Sequence, residues 1–309
     1  MKFVLNAEQR MFGATLRELL SGAGVPDVLR GGDWRPLWSA LADAGVFAVA
    51  VPEKYDGAGV LPVELVTALH ELGRHAVPGP VVETVAAAVL LDRDPLADAW
   101  LPRVASGDAV VSVARPYALD ADRADLVLAA DGTDLRAAAP GRELTSLDPA
   151  RRLFEVVPGE VLARGVDTGP AFDLATLACA AQQLGVGRGL LERTVAYAGT
   201  REQFGRPIGA FQAVKHHLAS VLTGLEFARP LVYGAALAHG TPDFARDVSA
   251  AKAACARASY AAARVALQVH GAIGYTEEFD GSFSIRKARA LYNAWGSPSE
   301  HRARVLAAL

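Results

Sequence analysis

One short segment, REQFGRPIGAFQAVKHHLA at 201–219, places an arginine, an aromatic ring and an amide close together. The guanidinium of Arg201 can hold a phosphate or pyrophosphate through two parallel hydrogen bonds. Phe204 offers a flat apolar surface to an aromatic ring, and the amide of Gln212 can both donate and accept a hydrogen bond. Each residue also has a simpler interpretation: a surface ion-pair partner, a core residue and a helix-surface residue, respectively.

A second segment, QVHGAIGYTEEF at 268–279, places Gln268 just before two glycines. Gly271 and Gly274 would let backbone N–H groups come close to a phosphate. The simpler alternative is that both glycines form a turn between helices. For His216 and His217 we favour a structural or solvated role.

The elements that must position these residues begin with a helical zone, residues 1–101. Apolar residues at helical spacing predict helices at 7–21, 34–44, 82–92 and from about Pro62. Proline suits the first helical turn, where its missing N–H would have no partner. Gly45 is the predicted end of the second helix.

Residues 102–165 have a different texture. DAVVSVARP, DLVLAA and LFEVVPG are short, rich in β-branched residues and bounded by Pro, Asp or Gly, which predicts strands. The zone has room for five to seven short strands, so we expect a small β domain.

The remaining zone, residues 166–309, returns to helical spacing and is rich in alanine, which lets helix axes approach closely. We expect an antiparallel four-helix bundle with helices at 173–199, 209–238, 243–269 and 283–294. The predicted fold class is therefore mainly α with a small β insert, in three domains: 1–101, 102–165 and 166–309.

Composition excludes several classes of protein. The 309 residues are 51% hydrophobic and carry a net charge of -3, with the arginines scattered among acids, so no nucleic-acid surface is indicated. The two cysteines, Cys179 and Cys255, lack metal-ligand spacing and suit a reducing compartment. Neither a signal peptide nor a run of about 18 apolar residues is evident, so we expect a cytoplasmic protein without a membrane partner.

Three segments carry a resemblance to the acyl-CoA dehydrogenase superfamily. VPEKYDGAG at 51–59 resembles a Gly-rich loop of its N-terminal helical domain, and the segments at 201–219 and 268–279 resemble two motifs of its C-terminal bundle. The resemblance implies an oligomeric flavoprotein, in which this chain reaches FAD held mainly by a neighbouring subunit. The residues that it implies as cofactor contacts are Arg201, Phe204, Gln212, Gln268, Gly271, Gly274 and Ser297.

The chain departs from the family where the catalytic base should stand. One family position for the glutamate directly precedes a Gly-Ser pair and is Trp295 here, and the other is Ala175. Neither side chain can accept a proton. The middle domain also lacks the family's flavin-ring motifs. Asp173 resembles a CoA-contacting aspartate of the family, although it could equally be a helix N-cap or a first-turn acid.

These departures leave three functional hypotheses. The favoured one is the short, base-lacking subunit of an α2β2 acyl-CoA dehydrogenase, whose partner subunit supplies the glutamate. By resemblance, its substrate would be a bulky acyl-CoA, such as one with a steroid side chain, and its electron acceptor an electron-transferring flavoprotein. The second is a self-sufficient flavoenzyme with a relocated base among Glu277, Glu278 and Glu300. The third is a non-catalytic scaffold.

Overall fold

The structure, a computed structural model, describes residues 4–309, and it begins with a series of helices. The helices are α1 (Ala7–Gly22), α2 (Val25–Leu29), α3 (Arg35–Asp43), α4 (Pro62–Arg74), α5 (Val81–Leu91) and α6 (Leu96–Ala105). Four of them match the predicted helices to within two residues. The sequence prediction missed α6 because Pro102 lies inside it, where proline usually breaks a helix. This helix crosses the domain boundary expected after residue 101.

Gly45 ends α3 as predicted. Its φ is +84°, in the left-handed region that favours glycine. The Gly45 N–H donates to the carbonyl of Ala42 at 2.8 Å, and the Val46 N–H donates to the carbonyl of Leu41 at 3.0 Å. This pair of bonds satisfies the last carbonyls of the helix in a Schellman motif.

A five-stranded sheet follows the first helices along the chain. Its strands are β1 (Val111–Ala114), β2 (Ala118–Leu119), β3 (Leu126–Asp131), β4 (Asp134–Leu144) and β5 (Leu153–Ala163). Their spatial order is β1-β3-β4-β5-β2, with β1 parallel to β3 and the other pairs antiparallel. The three predicted strand segments are confirmed. At 11 residues each, β4 and β5 are longer than expected, because register shifts near Pro140 accommodate residues that usually interrupt a strand.

Five helices form the C-terminal region: α7 (Gly169–Thr200), α8 (Gln212–Leu237), α9 (Phe244–His270), α10 (Gly281–Asn293) and α11 (Pro298–Ala307). The first four match the helices predicted for the bundle, and α11 is a fifth that packs against α9. Between α7 and α8 lies a small hairpin of β6 (Glu202–Gln203) and β7 (Arg206–Pro207). The predicted fold class, helices followed by a small sheet and more helices, is confirmed.

The chain divides into two compact units. One contains Leu69–Val77 and Cys179–Leu309, and the other contains Leu5–Ala68 and Pro78–Ala178. Within residues 4–309, none of the helices combines the length and the apolar character needed to cross a membrane.

Glycines bring α4 and α7 into backbone contact in the first of these units. A Cβ on Gly73 would overlap the carbonyl of Gln182, and a Cβ on Gly185 would overlap the carbonyl of His70. Gly187 faces the other way, where a Cβ would come within 2.7 Å of Leu225 in α8. These glycines therefore set how closely α7 lies against its neighbours.

Candidate functional site

The hairpin after α7 presents two of the predicted contact residues at the surface. Phe204 and Gly205 form its two-residue turn, both in the left-handed region with φ of +53° and +76°, as a type I′ turn requires. Phe204 is 92% exposed, so its interpretation as a core residue is wrong for this chain. Arg201 is also exposed, and within residues 4–309 it has no carboxylate at ion-pair distance. Its guanidinium is therefore available to an anion.

Two residues that the sequence analysis did not single out support this hairpin. The Phe211 ring meets Phe204 edge-on, with centroids 6.2 Å apart. The guanidinium of Arg206 lies over the Phe211 ring, 4.1 Å from its centroid. This distance is typical of a cation–π contact. Gln212 follows as the first residue of α8 and is exposed. The alternation of aromatic and arginine residues in FGRPIGAF was the available signal.

The second predicted group lies at the end of α9. Gln268 is exposed in the last turn of the helix, and Gly271 follows with a φ of +64°. Gly274 is buried, and a Cβ there would come 3.0 Å from the Leu267 side chain. Gly274 thus has a packing role, and the turn interpretation of the two glycines agrees with the 3₁₀ segment Gly271–Tyr275.

An aromatic contact joins these two groups. The rings of Tyr197, one turn before Arg201, and His270, two residues after Gln268, stack with centroids 4.3 Å apart. The ends of α7 and α9 therefore meet. We call Arg201, Phe204, Gln212, Gln268, Gly271 and Gly274 the grip residues.

The family base position after α10 is occupied by a buried indole. Trp295 is 7% exposed and has a φ of +56°, which is rare for so bulky a side chain. Its carbonyl accepts a hydrogen bond from Nε2 of His301 at 2.8 Å. The buried Nζ of Lys252 donates to the carbonyls of Leu291 and Gly296, each at 3.2 Å. We call residues 294–297 the Trp295 segment, and these bonds fix its backbone.

His301 is neutral in this environment. Burial lowers the pKa of the His301 imidazole to about 4, the hydrogen bond to the Trp295 carbonyl opposes the shift, and the charges of Lys252 and Arg304 add to it. Because the carbonyl can only accept, Nε2 carries the proton of the neutral ring. The ring therefore serves as a fixed donor to the Trp295 segment.

Ser297 and Glu300 form a capping box at the start of α11. The Ser297 Oγ accepts from the Glu300 N–H at 3.3 Å, and the Glu300 carboxylate accepts from the Ser297 N–H at 2.6 Å. The cofactor role of Ser297 stays a prediction, since its hydroxyl already serves the helix. Glu277 lies 3.3 Å from Arg286 and is exposed, as is Glu278. The three carboxylates considered as relocated bases are thus surface groups, whereas a tuned catalytic carboxylate is normally buried.

The other family base position and the predicted CoA contact lie near the start of α7, in the unit that contains the sheet. Ala175 is fully buried, and its methyl group offers no acid or base. Asp173 is 8% exposed in the second turn of α7, so its interpretation as an N-cap or first-turn acid is wrong. Nearby, the guanidinium of Arg115 lies 4.0 Å from the Phe172 ring centroid. The role of Asp173 toward CoA stays a prediction.

A buried carboxyl in the same unit was not anticipated from the sequence. Asp120 follows β2 at a φ of +50° and is 4% exposed. Burial raises the pKa of Asp120 to about 7, while Arg123 and Arg151 oppose the shift and Glu83 adds to it. No group of three His, Cys, Asp or Glu side chains suited to a metal occurs in the described part of the chain.

Comparison with known proteins identifies relatives of both helical regions. Residues 6–108 match the acyl-CoA dehydrogenase N-terminal domain, and residues 168–309 match the acyl-CoA dehydrogenase C-terminal domain. The acyl-CoA dehydrogenase IpdE2 of Mycolicibacterium smegmatis is 31% identical over 316 residues, which cover 97% of this chain and 98% of that protein.

Two solved assemblies have chains with the same fold. A chain of the ChsE4-ChsE5 complex from Mycobacterium tuberculosis superimposes with a TM-score of 0.86 at 24% identity, covering 99% of this chain and 98% of that one. A chain of the Tcur3481-Tcur3483 steroid ACAD gives a TM-score of 0.85 at 25% identity, covering 97% of each chain.

Proposed function

This chain belongs to the acyl-CoA dehydrogenase family, whose members are oxidoreductases acting on CH–CH bonds, and we propose that it is the short, base-lacking subunit of a heteromeric member. The assembly would catalyse α,β-dehydrogenation of a CoA thioester. One observation carries the proposal: the grip residues are present and largely exposed, while a buried, immobilised Trp295 stands at the family base position.

The residues of this chain fit one end of FAD. In the proposal, Arg201 holds the pyrophosphate as a bidentate donor, and Phe204 packs its exposed ring against an aromatic part of the cofactor. Gln212 and Gln268 bind the adenosine end, and the exposed backbone at Gly271, with open space where a Cβ would stand, admits a phosphate. When bound, FAD supplies the acceptor for the hydride that leaves the β carbon of the substrate.

The proton at the α carbon must leave to a group outside the family base positions of this chain. Neither the indole of Trp295 nor the methyl group of Ala175 can take it. We therefore assign the base to a glutamate of a second acyl-CoA dehydrogenase subunit. That subunit would also hold the flavin ring, for which this chain lacks the family motifs.

Exposed apolar side chains support an assembly with another chain. Phe204, Phe227 and Tyr275 are 92%, 73% and 77% exposed. Large exposed aromatic rings are enriched at protein interfaces. The relatives named as complexes, ChsE4-ChsE5 and Tcur3481-Tcur3483, agree with a two-chain assembly.

For the substrate we propose a bulky acyl-CoA, such as one carrying a steroid side chain, because one structural relative is described as a steroid ACAD. Asp173 would contact the CoA part. We further propose an electron-transferring flavoprotein as the electron acceptor and a cytoplasmic location.

The test is the amount of FAD bound per chain, measured by absorbance. The protein would be purified alone and after co-expression with a full-length acyl-CoA dehydrogenase chain that carries the catalytic glutamate. We expect little flavin alone and about one FAD per pair of chains in the complex. One FAD per chain in the protein purified alone would overturn the proposal and reopen the search for a base in this chain.

A matched pair of variants locates the contact. Arg201→Ala should release FAD from the complex, because a charge-assisted pair of hydrogen bonds is lost, about a tenfold weakening or more. Arg229→Ala removes another exposed arginine, on α8, and should leave FAD bound. Equal retention of FAD by both variants would contradict the assignment of Arg201.

A further inference from the structure

His270 ends α9 inside the group of grip residues, and its ring is enclosed by two aromatic neighbours. The side chain is 5% exposed. Its ring lies 4.3 Å from the Tyr197 ring at an interplanar angle of 24°, and 4.3 Å from the Phe279 ring at 33°. Stacked and tilted contacts between aromatic rings stabilise a structure beyond the apolar area that they bury. The histidine ring is therefore held by two aromatic neighbours.

A hydrogen bond fixes the rotation of the ring within this stack. Nδ1 lies 2.8 Å from the carbonyl oxygen of Ala266, one turn earlier in α9. Because the carbonyl can only accept, Nδ1 carries the proton and Nε2 is the bare nitrogen of the neutral ring. Burial lowers the pKa of His270, which agrees with a neutral ring.

The contacts of His270 connect it to several of the grip residues. The carbonyl of Tyr197 accepts from the N–H of Arg201 at 2.9 Å. The Cβ of His270 is 3.4 Å from the place where a Cβ on Gly274 would stand, and Gln268 lies two residues before His270 in the same helix. The ring thus connects the end of α7, which carries Arg201, to the end of α9.

Simple core packing does not account for a histidine here. In the described part of the chain, the buried Nε2 has no hydrogen-bond partner. A buried acceptor without a hydrogen-bond partner destabilises the folded chain. A phenylalanine would keep both ring contacts without that cost and would lose only the bond to Ala266.

We propose that His270 is a positioning residue that sets the separation of Arg201 and Gln268 by stacking between Tyr197 and Phe279, so that both reach one FAD molecule. The inference rests on the proposed function and adds to it a residue that does not touch the cofactor. Its effect is on FAD affinity, while the chemical step stays with the partner subunit.

The experiment uses the two-chain complex, stripped of flavin and titrated with FAD. His270→Ala removes the stack and should raise the Kd for FAD about tenfold. His270→Phe keeps the stack and should restore the Kd to within about threefold of the parent complex.

A destabilising control separates positioning from general loss of structure. Leu225 is a buried α8 residue facing Gly187, and Leu225→Ala should lower the melting temperature of the complex without changing the Kd for FAD. If Leu225→Ala raises the Kd as much as His270→Ala, or if His270→Phe fails to rescue, the positioning role is overturned.

Failure of the inference and failure of the proposed function are distinguishable. If Arg201→Ala weakens FAD binding and His270→Ala does not, the positioning role alone is wrong. If neither variant weakens FAD binding, the grip itself is wrong, and both proposals fall together.

Discussion

Two aromatic residues of this chain share a rare backbone conformation in opposite surroundings. Phe204 has a φ of +53° and is 92% exposed, whereas Trp295 has a φ of +56° and is 7% exposed. Each precedes a glycine that is also left-handed, Gly205 and Gly296. A non-glycine residue in this region costs about 1–2 kcal/mol. The cost is therefore similar at the two sites, and the difference lies in what offsets it.

Trp295 is compensated within its own chain. Its ring is buried, His301 binds its carbonyl, and Lys252 binds the carbonyl of Gly296. Phe204 has one edge-on ring contact and otherwise faces solvent. Residues in rare backbone conformations cluster at active sites and ligand-binding segments. The contrast shows that contacts within the chain hold Trp295 in place, whereas Phe204 has few such contacts and is left exposed, as its proposed role toward FAD requires.

We expect the largest effect from a substitution that disrupts the packing of α4 against α7. Gly185→Ala places a Cβ on the carbonyl of His70 and should lower the free energy of unfolding by about 4 kcal/mol or more, a large part of the stability of a typical domain. Gly199→Ala is the matched control, because it lies in the same helix with nothing within 4 Å of its Cβ. It should be neutral or stabilise by up to about 1 kcal/mol. Urea denaturation measures both, and equal stabilities would contradict the close helix contact.

The next effect tests the compensation of Trp295. The ammonium of Lys252 donates to the carbonyls of Leu291 and Tyr292 in the last turn of α10 and to the carbonyl of Gly296 after it. Lys252→Met leaves these carbonyls without that donor and should lower the free energy of unfolding by about 3 kcal/mol. Lys215→Met, at an exposed site on α8, should change the free energy of unfolding by less than about 0.5 kcal/mol. Tryptophan fluorescence during unfolding reports both. A neutral Lys252→Met would show that the Trp295 segment needs no such support.

Asp120 is a third residue with a positive φ, and it is buried like Trp295, but its side chain can ionise. Its folded pKa of about 7 exceeds the ordinary value of 3.8, so its contribution to stability is complete below pH 4 and is lost as the pH rises through 7. Asp120→Asn removes this dependence and tolerates a positive φ. We expect the variant to gain about 4 kcal/mol on the parent between pH 4 and pH 8, because a shift of about three pKa units corresponds to about 1.4 kcal/mol per unit. Parallel stability curves across this range would refute the assignment.

The smallest effect concerns Phe204. Asn-Gly is the preferred pair for a type I′ turn, so Phe204→Asn should stabilise the isolated chain by about 0.5–1 kcal/mol. The same change should weaken FAD retention in the two-chain complex, because the exposed ring is lost. Thermal unfolding and flavin absorbance measure the two consequences. A variant that is less stable alone would show that Phe204 is compensated within its own chain after all.

Local patterns in the sequence predicted much of this molecule. Periodic apolar residues located α1, α7, α8 and α9, and β-branched runs located three of the strands. Local rules failed at Pro102 and around Pro140, where neighbouring structure tolerates residues that usually break a helix or strand. In these cases tertiary packing outweighs the propensity of a single residue.

The sequence predicted which residues belong to the candidate site but not how they are arranged in space. Family motifs indicated the grip residues, but the stack on His270 depends on Tyr197, more than 70 residues earlier in the chain. The bonds from Lys252 to the Trp295 segment are similarly long in range.

The glycine contact between α4 and α7 also limits how this protein can be divided. Residues 69–77 belong to the same compact unit as the C-terminal helices, and Gly73 and Gly185 allow the two backbones to touch. A fragment that begins at residue 166 would keep α7 but would lose α4, the helix that packs against the glycines of α7. Exchange of C-terminal regions between relatives must therefore carry α4 along, so the exchangeable module is discontinuous in sequence.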